Sequence, residues 1–138
     1  STEALKIAEE NGQNLKITDR VEWRQGDYLK AVDEEDIFDG IFSNPPYIPT
    51  KDIGGLSREV KHEPRLALDG GTDGLYFYHL LAKGAAEHLK PGGFLAVEFG
   101  IGQATDILEM FRKSAQYEDF EVIKDYGGIE RALYCRKK

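Results

Sequence analysis

A single cysteine, Cys135, is all the thiol this chain contains. That excludes an internal disulfide framework and a zinc site built on cysteines. In the last predicted strand it reads as a small core residue. No apolar run is long enough to span a bilayer. No basic segment followed by an apolar one marks a signal peptide. A basic excess is missing too: 18 Lys and Arg against 25 Asp and Glu give a formal net charge of -7. Nucleic-acid binders carry a basic face, because phosphate contacts dominate their affinity. The cluster of Arg131, Arg136, Lys137 and Lys138 reads as a solvated tail. These absences point to a reducing, cytoplasmic setting without membrane or direct nucleic-acid contact. An acidic domain suits a small cofactor and a basic protein partner.

The 138 residues suffice for one domain with one core. Ser1 to Asn14 is expected to be a helix with Ala4, Ile7, Ala8, Asn11 and Leu15 on one face, Ser1 as N-cap and Glu3 in the first turn. Val21 to Arg24 reads as a short strand, ending at the turn Gln25-Gly26-Asp27. Asp33 to Asp36 reads as loop. Phe38 to Ser43 is an apolar, buried strand, which Asn44-Pro45-Pro46 must end, since proline cannot donate to a ladder. Residues 47–72 form a long irregular segment of the kind that is often functional. Asp73 to Lys90 is expected to be a helix with Tyr78, Leu81, Ala82, Ala85 and Leu89 inward, stopped by Pro91-Gly92-Gly93. A buried strand follows at Phe94 to Phe99. A helix comes next from Gln103 to Ala115, with Ala104, Ile107, Leu108 and Phe111 inward. Glu121 to Asp125 and Ala132 to Arg136 form an antiparallel hairpin through Gly127-Gly128. The alternation predicts an α/β sandwich with a mainly parallel sheet. A parallel sheet needs crossover units, and the chain opens on a helix. An opening strand–helix–strand is therefore expected to be missing.

The chemistry concentrates in Ser43-Asn44-Pro45-Pro46-Tyr47, at the carboxyl end of a predicted strand, where open α/β sheets bind ligands. The amide oxygen of Asn44 accepts hydrogen bonds. Pro45 and Pro46 make a stiff loop whose carbonyls are preset, and Tyr47 adds a flat ring to cover a substrate. Two fixed acceptors can grip an amino group with two hydrogens. The set suits a planar nitrogen such as an amide or an exocyclic base amine. Such a nitrogen is a poor nucleophile because its lone pair is delocalised. Acceptors on its hydrogens favour pyramidalisation, and alignment with a methyl sulfonium supplies the rest.

Residues 43–75 read SNPPYIPTKDIGGLSREVKHEPRLALDGGTDGL. This string resembles the release-factor glutamine methyltransferase family: Asn-Pro-Pro-Tyr-Ile-Pro, then Glu59-Val60, Glu63-Pro64, Ala67-Leu68 and Gly70-Gly71 with Asp73-Gly74-Leu75. Ser1 to Ala8, Leu89 to Gly93, Glu98 with Gly100, and Asp125-Tyr126-Gly127 with Glu130-Arg131 extend the likeness over the whole chain. The resemblance implies a Rossmann-like, S-adenosylmethionine-dependent methyltransferase fold, cut at its N-terminal strands and carrying a C-terminal antiparallel hairpin. Residues 1–138 would be a single, partial catalytic domain. It implies that Asn44, Pro45, Pro46 and Tyr47 hold a glutamine side chain of a peptide chain release factor, with Asn44 also near the cofactor. Tyr28 would pack on the adenine, and Asp27 would accept from its amino group. No metal is implied. Glu63, Pro64 and Arg65 shape the pocket. The family's glycine-rich loop, the acidic residue that holds the ribose, and the N-terminal helical domain are not in this sequence. The fragment itself is therefore expected to be inactive.

Two rival functions remain. One is an adenine-N6 methyltransferase on DNA or RNA, which shares the acceptor logic but fits the acidic balance and the 43–75 string less well. The other is a non-catalytic fragment that associates with itself through the edge at residues 38–43. Gly100-Ile101-Gly102 lacks the third glycine of a dinucleotide loop, since Thr105 stands there. Asp69-Gly70-Gly71-Thr72-Asp73-Gly74 opens like a calcium loop, but Leu80 stands where the closing glutamate belongs. His62, His79 and His88 have no metal-ligand spacing, and His79 and His88 read as half-exposed helix residues. Trp23 reads as packing.

Overall fold

A computed structural model describes residues 1–58 and 60–138, so Glu59 of the signature string lies outside the described residues. Two compact units divide the chain, Ser1–Asp36 and Ile37–Lys138.

In the first unit, α1 spans Thr2–Asn14 and Ser1 caps it, its hydroxyl accepting from the Ala4 N–H at 3.2 Å. The inward stripe differs from the expected one. Gly12 is buried and Leu5 and Ala8 are half-buried, whereas Ile7 and Leu15 are 60% and 69% exposed. The reason is Trp23. A Cβ at position 12 would come within 2.7 Å of its indole, so the ring fills the space that glycine leaves. The strand expected at Val21–Arg24 does not form. A strand exists through its ladder, and among the described residues none pairs with this segment. Arg24 instead gathers acids: its guanidinium bonds Glu22 at 2.6 Å, reaches Asp33 at 3.5 Å and pairs closely with Asp36. The hydrogen bond from Arg24 holds the Glu22 carboxyl below the usual range. Tyr28–Ala31 closes as a 3-10 turn.

The second unit is built on one sheet, with strands β1 (Phe38–Ser43), β2 (Leu89–Glu98), β3 (Tyr117–Lys124) and β4 (Glu130–Lys137) in the order β1-β2-β4-β3. The α/β character is as expected, but the mainly parallel sheet is not. β1 and β2 run parallel, whereas β2–β4 and β3–β4 are antiparallel. The short turn at Asp125–Gly128 forces the hairpin to be antiparallel, and the hairpin enters the sheet with β4 against β2. β1 is also not the buried strand expected. Among the described residues it pairs with β2 alone, and Phe42 is 79% exposed.

The helix expected over 73–90 stops sooner. A single helical turn, α2 (Arg65–Leu68), comes before it, then Leu75 leads into α3 (Tyr76–Gly84), and a 3-10 turn follows at Ala85–His88. β2 already begins at Leu89, so Pro91-Gly92-Gly93 sits inside the strand rather than ending a helix. There the register jumps from Phe38↔Leu89 to Gly40↔Phe94. A proline without an N–H and Gly92 at φ 72 make such a bulge possible. His88 is buried rather than half-exposed, because the tight turn carries it under the chain.

The helices α3 and α4 (Ala104–Lys113) cover one face of the sheet. Tyr78, Leu81 and Ala82 of α3 and Ala85 meet Ile107 and Phe111 of α4 above Leu95, Val97, Leu133 and Cys135. Helical spacing placed these residues inward; it also placed Leu108 there, which is half-buried, and Leu89, which is buried but belongs to β2. Burying each large apolar side chain contributes roughly 1.5–3 kcal/mol. The buried hydroxyls are satisfied: Tyr78 donates to the Glu98 carbonyl at 2.7 Å and Tyr117 to the Leu81 carbonyl at 3.1 Å. Burial pushes the Cys135 thiol up to about 12, so it is a packing group and not a nucleophile. No helix among the described residues is long and apolar enough to cross a membrane.

Candidate active site

β1 delivers the chain to the site. Its last paired residue is Ser43, opposite Val97. The two prolines that follow cannot extend the ladder. Asn44 is exposed at the carboxyl end of the strand, Pro45 is buried, and Pro46 and Tyr47 are half-buried.

The loop is then stitched to residues 68–74. The Ile48 N–H donates to the Leu68 carbonyl at 3.0 Å, and the Gly70 N–H returns a bond to the Ile48 carbonyl at 2.9 Å. Together they make an isolated parallel bridge, Ile48↔Asp69. The Thr50 N–H adds a bond to the Gly71 carbonyl at 2.8 Å. Asp69 locks the pair. Its carboxylate accepts from the Thr50 hydroxyl at 2.6 Å and from the Gly71 N–H at 3.1 Å, and Arg65 bonds it at 3.1 Å. The Thr50 bond, then the Gly71 bond, hold the Asp69 carboxyl below its usual range.

Glycines allow this closeness. A Cβ at Gly70 would lie 2.8 Å from the Pro46 carbonyl oxygen and 2.8 Å from Tyr47 Cα. One at Gly100 would lie 3.0 Å from the Tyr47 ring. One at Gly74 would overlap the Tyr47 carbonyl oxygen. These glycines are the ones whose spacing resembled a calcium loop and a dinucleotide loop. Their physical role is to let the backbone and ring of the Pro46–Tyr47 segment pass. Gln103 completes the clamp, bonding Gly100, Gly74 and Tyr47 through one amide. The sequence reading left Asp69 and Gln103 unassigned. The close spacing of glycines around them was the available signal.

Two hollows meet at Asn44. One, of about 410 Å³, is lined by Asn44, Pro45, Tyr47, Val60, Glu63 and Leu68 among others. The second, of about 380 Å³, lies on the open sheet face beside Phe42, Asn44, Ala96, Glu98 and Ile123. Asn44, Pro45 and Tyr47 are thus brought together on one cavity, as their adjacency suggested. Its lining is mixed, with the polar groups of Asn44 and Glu63 beside Val60 and Leu68, a set that can seat a small amide side chain.

Asp27 and Tyr28 belong to the N-terminal unit. Asp27 precedes the 3-10 turn and pairs with Lys30 at 2.8 Å, both exposed. Tyr28 is half-buried and has a left-handed backbone, φ 61. The turn is tight: a Cβ at Gly26 would lie 2.5 Å from that of Ala31.

Known proteins resemble this chain in sequence and in fold. No protein-family model matches the chain. The release factor glutamine methyltransferase of Moorella thermoacetica is 41% identical over 138 residues, covering 100% of this chain and 48% of that protein. That of Synechocystis is 42% identical over 138 residues, covering 99% of this chain and 46% of that protein. Among solved structures, a methyltransferase from Pyrococcus furiosus superposes with a TM-score of 0.71 at 26% identity, covering 99% of this chain and 59% of that one. TrmN from Thermus thermophilus shares the fold, with a TM-score of 0.61 at 15% identity over 100% of this chain and 34% of that one. The chain spans about half the length of the curated relatives it matches. The four-stranded sheet with its terminal hairpin is part of a Rossmann-like methyltransferase fold, and by sequence the chain belongs to the release factor glutamine methyltransferase family.

Proposed function

We propose that this chain carries the substrate-gripping part of an enzyme that methylates the side-chain nitrogen of a glutamine in a peptide chain release factor. The observation that supports this most is the rigid Asn44-Pro45-Pro46-Tyr47 loop opening on a 410 Å³ cavity at the end of β1. The amide oxygen of Asn44 and the carbonyl of Pro45 accept the two N–H groups of the glutamine amide. This fixes the nitrogen and draws its lone pair out of conjugation. Pro46 keeps those acceptors from turning, and Tyr47 covers the amide from water. No side chain has to remove a proton first, because the methylated nitrogen is charged and releases it to water afterwards.

The methyl donor in this reading is S-adenosylmethionine, which supplies an electrophilic methyl on a sulfonium. The residues fit such a group at the hollow beside Asn44. Its walls are apolar, and the exposed Glu98 carboxylate offers opposite charge to a cation. Asn44 is assigned to the cofactor as well as to the substrate. Asp27 accepts from the adenine amino group and Tyr28 packs on its ring, as the family resemblance implies. The remaining cofactor contacts are assigned to the part of the relatives' length that this chain does not span. Residues 1–138 are taken as one partial catalytic domain acting on a protein, without direct nucleic-acid contact.

The test is a methyl-transfer assay with the full-length protein, offering a release factor and an adenine-containing DNA in parallel. Label on a glutamine of the release factor is the expected result. Label on the DNA alone would make the enzyme an adenine methyltransferase.

A property of the isolated chain follows from β1. Among the described residues no strand pairs with its outer edge, which lies next to the exposed Phe42, and such an edge pairs with other chains. Residues 1–138 alone are expected to associate with themselves, giving a dimer or larger mass by light scattering. A clean monomer at high concentration would refute this.

A further inference from the structure

We propose that Gln103 is the positioning residue of the Asn44–Tyr47 loop, fixing the acceptors that the reading above assigns to the substrate amide. The inference rests on that reading for its chemistry and on the side-chain geometry of Gln103 for its mechanism.

Gln103 stands immediately before α4, at the N-cap position. Serine, threonine, aspartate and asparagine are favoured there because their side chains cap the helix. Gln103 does not cap it. Its side chain turns away and ties together three segments that are distant in sequence. Oε1 accepts from the Gly100 N–H at 2.8 Å, at the exit of β2. Nε2 donates to the Tyr47 carbonyl at 3.0 Å and to the Gly74 carbonyl at 3.3 Å. One planar amide thus serves one donor and two acceptors, and all three bonds are part-buried.

The demand is specific to a long amide. A carboxylate could accept from Gly100 but would face two carbonyl oxygens with its own charge. An ammonium could donate but not accept. A leucine would leave three backbone groups without this partner, and leaving a buried polar group unmade is costly. Gly74 and Gly100 are the close neighbours that make room for the amide: a Cβ at Gly74 would come 2.8 Å from Nε2, and one at Gly100 3.0 Å from Oε1. The bond to the Tyr47 carbonyl fixes the peptide plane between Tyr47 and Ile48. Gly70, packed on the Pro46 carbonyl, fixes the plane before it. With both planes held, the Pro45 carbonyl and the Asn44 backbone have little freedom left. Misplacing a positioned group by about 1 Å can cost about 100-fold in rate, so the clamp acts on turnover through the loop and not by touching substrate.

The experiment uses the full-length protein with its release factor. Gln103→Leu should lower kcat by about thirtyfold while KM for the release factor stays within threefold. Gln103→Glu should show the same loss at pH 8 and recover as the pH falls, because the protonated carboxyl can again donate to Tyr47 or Gly74. The parent should not gain activity in that direction. A second readout needs no catalysis. In Gln103→Leu, amide hydrogen exchange at Ile48 and Gly70 should speed at least tenfold, with Leu95 and Val97 in the sheet unchanged. A kcat within threefold of the parent overturns the proposal, and so does unchanged exchange at Ile48 and Gly70, or exchange that rises equally in the sheet. If the parent protein methylates no glutamine, it is the functional reading that fails, and the exchange measurement alone then decides the role of Gln103.

Discussion

Asn44→Ala in the full-length protein should slow methyl transfer to a release factor by about 100- to 1000-fold, the cost of losing one preorganised group aimed at the reacting atom. The loss should fall on kcat. In the proposed mechanism the change removes one acceptor on the glutamine nitrogen and leaves the other residues around the cavity in place. Asn44 is exposed and follows the last paired residue of β1, so its truncation empties no core site. The melting temperature should therefore stay close to that of the parent. Steady-state kinetics with a melting curve on the same preparation separates the two effects. A variant that keeps transfer within tenfold of the parent would remove Asn44 from the mechanism.

Gly74→Ala should be the most damaging single-methyl change in the signature segment, lowering stability by at least about 2 kcal/mol. Gly74 has φ 78, where a side chain costs about 1–2 kcal/mol. Its added Cβ would also overlap the Tyr47 carbonyl oxygen, and that oxygen is backbone held by Gln103. A flexible side chain could swing aside, whereas this oxygen moves only if the Pro46–Tyr47 loop moves. Gly92→Ala is the matched control. Its φ is 72, but nothing lies within 4 Å of where its Cβ would be. The control should show the backbone cost alone. Thermal denaturation of the two variants measures the difference. Equal losses would mean that the loop yields easily and that the close approach at Gly74 is not a constraint.

Where a pattern was local, the sequence was a good guide. The helical spacing of Tyr78, Leu81, Ala82 and Ala85 found the inward face of α3 and the turn after it, and that of Ala104, Ile107 and Phe111 found the inward face of α4, with Leu108 at its half-buried margin. The hairpin was legible because Gly127-Gly128 joins two stretches that read as strands. Both strands begin earlier than the sequence suggested, β3 at Tyr117 and β4 at Glu130. The readings that failed were those that depend on a partner. The inward stripe of α1 is set by Trp23 against Gly12, and no periodicity in residues 2–14 carries that information. Val21–Arg24 has strand-like residues but no neighbouring ladder among the described residues. Pro91-Gly92-Gly93 has the composition of a helix stop, yet it forms a bulge because β1 lies alongside and captures Leu89.

The candidate site divides in the same way. Asn44-Pro45-Pro46-Tyr47 was legible because its chemistry is contiguous: an amide, two residues without N–H groups and a ring, placed where a strand must stop. That string, with the 43–75 segment around it, was enough by itself to settle the family and the Rossmann-like class, since both are written in the order of residues. The clamp around the string belongs to tertiary structure. Gln103 is 56 positions from Tyr47 and 29 from Gly74, and only folding makes one amide the meeting point of the three segments. The sheet order likewise places β4 between β2 and β3 and leaves β1 at the edge, with Phe42 uncovered. Sequence determines which groups are available, because composition and local spacing fix conformational preference. Tertiary structure determines which groups hold one another still, because hydrogen bonds and van der Waals contacts act only at close range and the chain brings distant residues that near only once it has folded.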